Sequence, residues 1–454
     1  MNINLPVWGE YDVVVLGGGP AGFSAAIASA ENGSNTLLVE YNGFLGGMAT
    51  AALVMPWNVW AKSVTSKDIG GVYRTLLEVL NKGNSTFLFS DKTVLRSFDS
   101  SMVKIRMDQL AADAGVKLCF HTLACDVLKE GNTISAVVLQ NKSGRGLVKG
   151  KYIVDTTGDG DVSVNAGAEY SVGNNKDNSN TQPATLIFKM GNVDISKLSS
   201  YLKSNPDEIG DWPPSEEIIF GDKDHICVSG FFSLVNKGKE QGLPVKGNQL
   251  IITSTPISGI VTVNMTKVYG INIDDPFSIS QAEINAREQI SKGQEFLKKY
   301  IPGFKDSYLA EIGIQLGIRE TRRIMGDKTI LYEDICSGKK YEDRVGKLFN
   351  VGHLDFTKKD DAGNNITKFE YLTKELEIPS RSLLVKGIEN LLVGGRCIST
   401  DQKTFGFIRT QTACFATGQA AGVIASVASS EKKDIRSINI YQVQDVLLKQ
   451  GIEL

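Results

Sequence analysis

Residues 11–22 read YDVVVLGGGPAG, and the fold turns on them. Val13, Val14, Val15 and Leu16 form an unbroken apolar run, the composition of a strand buried on both faces of a parallel sheet. The run passes directly into Gly17, Gly18, Gly19, Pro20, Ala21 and Gly22. Gly17, Gly19 and Gly22 fill the three glycine positions of a GxGxxG turn. The first permits the tight turn, the second lets a phosphate approach the backbone, and the third lets helix and strand pack closely. Residues 23–32 are the small and apolar residues of a helix whose N-terminal amides and dipole suit a pyrophosphate. Gly33 fits the stop, residues 36–39 make a second strand, and Glu40 ends it. A carboxylate there accepts both hydroxyls of an adenosine ribose and repels a 2′-phosphate. The elements in register predict dinucleotide binding; a ligand-free glycine turn is the plainer alternative.

Bulk composition sets the frame around this unit. A chain of 454 residues exceeds the size at which one core usually stops growing, so two domains are expected. With 42% hydrophobic and 22% charged residues it reads as soluble and globular. A formal charge of -2, from 49 basic and 51 acidic residues, makes no electrostatic case for a nucleic-acid partner. Six cysteines without a CxxC pair favour a reducing, cytoplasmic setting. Residues 413–428 are small and apolar, but Thr417 and Gln419 interrupt them and the stretch is short for a span. A buried helix, and no membrane partner, is the expectation.

Three further segments belong at the ligand edge of an open α/β sheet. Residues 43–50, GFLGGMAT, follow the ribose position; Gly46, Gly47 and Met48 offer backbone and Thr50 a hydroxyl. Viewed alone, the segment is also compatible with a plain loop. Residues 151–154 form a strand that leads into DTTGDGDVS, residues 155–163. Near the other terminus, residues 391–393 form a strand followed by Gly394, Gly395 and Arg396. Residues 410–428 then have the small-residue content of a closely packed helix, with an N-terminus suited to negative charge.

On these motifs the chain resembles the FAD-dependent oxidoreductases with a glutathione-reductase type of FAD-binding domain. More narrowly it is similar to a bacterial subgroup with a GGMAT-like segment, an ATGDGD-like strand end and an NLLVGGRCIS…GFIR…ATGQAAG block. Here those are residues 46–50, 156–161 and 390–422. The resemblance implies FAD as cofactor, with Gly17, Gly19 and Gly22, and the intervening Pro20 and Ala21, at its pyrophosphate and Glu40 at its ribose. It implies Gly47 and Thr50 toward the isoalloxazine and Asp159 near the ribityl or phosphate region. Gly395, Arg396, Gln419, Ala420 and Ala421 would complete the pocket. Where the family often carries a histidine beyond GRCIS, this chain has Gln402.

The middle of the chain is less legible. Residues 99–115 read as an amphipathic helix and 116–120 as a strand. Residues 133–139 and 146–154 read as a hairpin forming a small appendage. Strands are expected at 184–190, 226–234 and 260–268, and helices at 280–300 and 307–314. In GIRETRRIMG, residues 317–326, one helical face would carry Arg319 with Arg322 or Arg323. Such guanidinium groups suit an anionic substrate or the flavin N1/C2=O edge, or else an Arg–Glu network fastening two domains. Arg409 has the same two readings. His353, beside Asp355 in FNVGHLDF, is the best candidate to move a proton, whereas His121 and His225 read as surface or structural residues. Cys397 lacks a resolving partner nearby and reads as packing. No clustered His/Cys/Asp pattern points to a metal.

The expected architecture is therefore α/β: a Rossmann-type FAD-binding domain from both chain ends, residues 1–165 and 383–454, with an inserted α+β substrate-side or cap domain at 166–382. The catalytic candidates are Arg319, Arg323, His353 and Arg409. The expected function is hydride transfer between a small, anionic substrate and flavin N5, with an unidentified electron donor or acceptor. The alternatives are a flavin monooxygenase or oxidase using molecular oxygen, and an FAD-holding RNA-modification or structural component.

Overall fold

The computed structural model describes residues 5–59, 69–89, 94–173, 181–213, 219–220, 225–242, 246–348, 351–359, 365–372 and 374–454. Its central feature is a 7-stranded sheet. Lys117–Cys119, Thr36–Val39, Val7–Leu16, Gly144–Asp155 and Leu391–Val393 lie side by side in that order, all parallel. The register matters more than the order. Val39 pairs with Cys119 and Leu16, Leu16 with Asp155, and Asp155 with Val393. The strands therefore end in one row, and whatever follows each of them emerges along one edge of the sheet.

Two helices cover the sheet beside that edge. Pro20–Glu31 begins immediately after the first glycine turn, and Gln411–Glu431 packs along it. Both are rich in alanine, glycine and serine and are buried along most of their length. The reason is contact distance. A Cβ on Gly418 would stand 2.0 Å from the Ala21 carbonyl oxygen, and one on Gly422 would stand 2.1 Å from that of Ala25. The backbones touch where any side chain would hold them apart. Among the described residues, Gln411–Glu431 is the one helix long and apolar enough to cross a membrane, and 94% of its apolar window is buried in the fold.

A second sheet, all antiparallel, is inserted between the two halves of the first. Its order is Cys227–Gly230, Leu250–Ser254, Val261–Asn264, Phe188–Gly191 and Tyr308–Ile312. The Ser278–Tyr300 helix buries Ala282, Ala286, Ile290, Phe296 and Leu297 in a core shared with Phe188, Met190, Val261 and Val263. Ile324, Ile330, Val345, Leu376 and Ile378 instead join the core of the first sheet, although they precede residue 383. Their apolar character is legible in sequence; which core takes them is not.

Several local expectations are corrected. The hairpin at residues 133–154 is no appendage. Gly144–Asp155 is 12 residues long, so its first half pairs antiparallel with Thr133–Asn141 while its second half is the central parallel strand. Residues 307–314 form a strand, Tyr308–Ile312, because cross-strand pairing with Phe188–Gly191 overrides local pattern. GIRETRRIMG is also not helical: Arg322–Ile324 is a strand paired with Tyr170–Val172.

The contact between the two helices has a testable sign. Intrinsic helix propensity makes Gly→Ala at 418 or 422 stabilising by about 1 kcal/mol. Overpacking against the facing carbonyl costs about 1–3 kcal/mol or more. Gly418→Ala and Gly422→Ala are expected to lower the urea unfolding midpoint, and a raised midpoint would show that the helices have room.

Candidate functional site

Each strand end in the aligned row delivers a loop, and five loops meet around one cleft of about 340 Å³. From the first come Gly17, Gly19, Pro20 and Ala21; from the second, Glu40, Tyr41 and Asn42. Thr122, Leu123 and Ala124 follow the third strand, Thr156, Thr157, Gly158 and Asp161 the fourth, and Gly394, Gly395 and Arg396 the last. The turn at residues 17–22 and the turn at 394–396 thus share one cleft although they come from opposite ends of the chain.

The glycine turn is shaped by what a side chain would strike. Gly17 has φ +100°, and a Cβ there would lie 2.5 Å from the Thr156 carbonyl oxygen. Gly22 sits under the turn, where a Cβ would fall 1.7 Å from the Gly17 carbonyl oxygen. Gly19 is the open one, with nothing closer than 3.9 Å. It is also the N-cap of Pro20–Glu31 and brings no side chain to cap that helix. Thr410, at the N-cap of Gln411–Glu431, sends its hydroxyl to the Phe407 carbonyl (3.0 Å) instead of the helix amides. Two helix N-termini without side-chain caps therefore border the cleft, a setting that favours an anion.

Glu40 is buried and lines the cleft. One carboxylate oxygen accepts from the Gly18 amide (2.5 Å), the other from the Asn42 amide (2.7 Å) and side chain (2.9 Å). Burial pushes its pKa up, and those donors work in the opposite direction. At the next strand end, buried Asp155 closes its own loop. It accepts from the amides and hydroxyls of Thr157 and Ser163 at 2.7–3.1 Å. Asp161 lines the cleft in that loop, its side chain half exposed and paired with the Arg322 guanidinium (3.1 Å). The enclosing walls, then the nearby carboxylates Asp159 and Asp155, push its pKa up to about 6.

A second cavity, about 160 Å³, adjoins the first and shares Met48, Arg396, Arg409 and Gln411 with it. The inserted sheet and its following loop supply Thr185, Ile187, Ile251, Asn264, Ile318 and Arg319. Gln411 pins the junction: its side chain accepts from the Trp57 indole (2.9 Å) and donates to the Val54 carbonyl (2.7 Å). Behind the lining, Asp159 binds the Arg396 guanidinium and accepts from the Thr321 hydroxyl.

The structure thus gathers Gly17, Gly19, Pro20, Ala21, Glu40, Gly47, Met48, Gly395, Arg396 and Arg409 around the first cavity, and Arg319 at the second. Other candidates stand elsewhere. The Gly46 amide is given to the Gly18 carbonyl, and the Thr50 hydroxyl to the Leu45 carbonyl. The carboxylate of Asp159 faces Arg396, while Asp161 lines the cleft. Gln419 is buried against the Val72 amide and Gln450, and Ala420 and Ala421 are fully buried in the helix packing. At 1.5 Å per residue they sit about 12–15 Å along the helix from Gln411, so its first turn, Gln411 and Cys414, reaches the cleft instead. Arg323 is buried and bonded to Glu320 (2.9 Å), the Gly173 carbonyl (2.5 Å) and the Thr400 carbonyl (3.1 Å). Gln402 donates to the same Glu320 (3.1 Å). His353 is placed by its backbone alone, in register with Phe369, and its side chain lies outside the described residues. Cys397 is buried, and burial raises its thiol well above the ordinary range; Cys414 is pushed up to about 12.

Asn42, Asp161, Gln315, Gln411 and the residues at 122–124 were not legible as lining residues. A polar residue two positions after the ribose carboxylate is the available signal for Asn42. Gln315 belongs to the inserted region and had none.

A family model described as FAD dependent oxidoreductase matches residues 12–447. The thiamine thiazole synthase of Methanococcus vannielii is 30% identical over 164 residues, 34% of this chain and 58% of that protein. The chain thus spans little more than half the length of that curated relative. Among solved structures, a geranylgeranyl bacteriochlorophyll reductase-like protein from Thermoplasma acidophilum aligns at a TM-score of 0.47 and 13% identity, over 98% of this chain and 84% of that one. The p-nitrophenol 4-monooxygenase of Pseudomonas putida aligns at 0.45 and 9%, over 98% and 84%.

Asp161 gives the ligand-free protein a pH signature. Its folded pKa, about 6, lies above the ordinary 3.8, so folding disfavours its ionised form. That contribution is most favourable below pH 4 and is lost as pH rises through 6. The stability of Asp161→Asn relative to the parent is expected to climb between pH 4 and pH 7. A flat difference in urea midpoints over that range would remove Asp161 from the account.

Proposed function

This chain belongs to the FAD dependent oxidoreductase family, and we propose that it moves a hydride between FAD held in the first cavity and a small, anionic substrate admitted to the second. The enzyme class and the cofactor follow from the family; the placement of each part and the identity of each site residue are our reading. The observation that carries it is the row of strand ends Cys119, Val39, Leu16, Asp155 and Val393, whose loops enclose a single cleft beside two helix N-termini without side-chain caps.

The residues present fit an adenine dinucleotide that carries a flavin. The glycine cradle at 17, 19 and 22 leaves room only where a phosphate would press on the backbone. Its cavity of about 340 Å³ is within the roughly 300–1,000 Å³ typical of ligand sites. In this reading Gly17, Gly19, Pro20, Ala21 and Gly22 hold the pyrophosphate and Glu40 the adenosine ribose, with Asn42 fixing the carboxylate. Gly47 and Met48, Gly395 and Arg396 border the flavin end, and Gly46 and Thr50 keep the GGMAT turn folded. Gln419, Ala420 and Ala421 act through helix packing. We read this arrangement as a glutathione-reductase type of FAD domain, and the free cysteines as suited to the cytoplasm.

FAD, when bound, supplies a two-electron centre that takes or gives a hydride at N5. The protein's part is to bind, orient and exclude water. Asp159 and Thr321 hold Arg396 at the junction, and Gln411 fixes the floor beside it. Arg319 and Arg409 face the substrate side, and Arg323 fastens the inserted region to the frame through the Thr400 carbonyl. His353 stands as the candidate for proton movement.

Purified protein is expected to carry FAD or take it up, read from the visible flavin spectrum and from the mass of the released cofactor. Glu40→Ala removes charge-assisted bonds worth about 1.5–3 kcal/mol, or about 10–100-fold in FAD affinity, while the affinity for FMN, which lacks the adenosine, stays unchanged. Equal losses for both would place Glu40 in the fold and not at the ribose. Anaerobic reduction by a donor panel, then exposure to oxygen, separates hydride exchange with a second substrate from the monooxygenase or oxidase reading.

A further inference from the structure

Asp159 lies between two glycines of positive φ, Gly158 at +87° and Gly160 at +68°. A neighbour presses on each of them. A Cβ on Gly158 would stand 2.5 Å from Nη1 of Arg396, and one on Gly160 would stand 2.5 Å from Cδ1 of Ile324. The Arg396 guanidinium therefore rests directly on the Gly158 backbone. Asp159 itself lines neither cavity: its carboxylate pairs with that guanidinium and accepts from the Thr321 hydroxyl. Thr321 is buried, and the Arg396 and Asp159 side chains are 13% and 25% exposed. In so enclosed a place, a displaced partner leaves a charge poorly solvated and alone, so the pair fixes position.

Arg396 lines both cavities, so it stands where a flavin in the first would meet a substrate in the second. Thr321 belongs to a segment of the inserted region that runs along the same boundary. The Ile314 amide is given to the Ala51 carbonyl (2.7 Å), just past the GGMAT turn. Gln315 lines the first cavity, and Gly317, Ile318 and Arg319 line the second. Two residues further on, Thr321 reaches Asp159. A cation beside a flavin stabilises the electron-rich reduced ring, by an amount that grows as distance and solvation fall. The place of Arg396 therefore bears on how readily the flavin accepts electrons.

We propose that Asp159 is a positioning residue and not a ligand of the cofactor. It holds Arg396 at the boundary of the two cavities. Through Thr321 it ties the place of that cation to the segment lining the substrate side, so the electron affinity of the flavin follows the seating of the inserted region. This holds on the reading that FAD occupies the first cavity with its ring toward Arg396. A cofactor ligand would turn its carboxylate to the cavity, whereas both partners of this carboxylate are protein groups. Without the Thr321 hydroxyl, only Arg396 would hold the carboxylate, and the two could swing away from the boundary together.

The test measures the reduction potential of bound FAD, and its dissociation constant, in the parent protein and in variants. Arg396→Met removes the cation and is expected to shift the equilibrium about 10–100-fold toward oxidised flavin, each tenfold being about 30 mV for a two-electron couple. Thr321→Val removes the hydroxyl while keeping size and charge, at a residue that lines neither cavity. It is expected to lower the potential too, by about 2–10-fold in the equilibrium, and Thr321→Ser is expected to restore the parent value. In the Arg396→Met background, Thr321→Val is expected to add nothing, since its effect runs through the cation. Should Thr321→Val not fold, Thr321→Ala decides on the same terms. A parent-like potential in the Thr321 variant, a shift that persists undiminished beside Arg396→Met, or weakened FAD binding with no change in potential would each overturn the proposal. The last is what a merely structural contact would give. Flavin bound and potentials flat overturn this proposal alone. A parent protein that takes up no FAD overturns the reading of the first cavity, and the proposal with it.

Discussion

Leu16, Asp155 and Val393 sit abreast, joined by parallel pairing across three strands that come from the beginning, the middle and the end of the chain. Everything at the cleft depends on that register. A parallel sheet places every strand end of one direction on one edge, so loops far apart in sequence emerge together. Slip Leu391–Val393 by one residue, and the glycines at 394 and 395 would no longer reach the turn that begins at Gly17. The register is held from behind by the two helices whose backbones meet at Ala21, Ala25, Gly418 and Gly422, where only the absence of a side chain allows the approach. Glycine in the interior of a helix weakens it, and here the weakness is offset by close backbone contact with the facing helix.

The inserted region is joined to this frame by charge as well as by the apolar residues it lends to the frame's core. Arg323 and Glu320 form a buried pair completed by the carbonyls of Gly173 and Thr400, by Gln402 and by the Gln182 amide. Asp159 binds both Arg396 of the frame and Thr321 of the inserted side, and Arg322 reaches Asp161 and Asp274. Ion pairs of this kind add little net stability once desolvation is counted, but they specify position, because a displaced partner leaves a charge buried alone. Position is what the site needs. The same contacts that dock the antiparallel sheet also hold the wall of the first cavity and one corner of the second, so the two cavities are built as one object.

How much of this could be read beforehand differs by distance along the chain. Local patterns were legible: the apolar run before Gly17, the strand at residues 36–39 with Glu40 at its end, the strand at 391–393 and the small residues of the last long helix all form as their sequence indicates. Where the local pattern read as helix, tertiary pairing overrode it. Tyr308–Ile312 became a strand because Phe188–Gly191 lay open to it, and Arg322–Ile324 became one beside Tyr170–Val172. Gly144–Asp155 was legible in two pieces, as one arm of a hairpin and as a strand at residues 151–154 leading to the ligand edge, but not as the single strand that makes both pairings.

The site follows the same division. Residues whose role lies in the backbone, such as Gly17, Gly19 and Gly395, can be named from sequence, since a glycine before a helix or after a strand has few reasons to be there. Side chains resist the same treatment. Arg319 and Arg323 stand in one short segment with nearly the same neighbours, yet one lines a cavity and the other is buried on Glu320. Gln419 was the candidate on the last long helix, yet Gln411, about 12 Å of rise away, is the glutamine that lines the cleft. Sequence alone determined that this chain builds a dinucleotide cradle, because backbone sterics act between near neighbours. Only the tertiary structure decided which polar side chains face it, because direction in space is set by contacts between residues hundreds of positions apart.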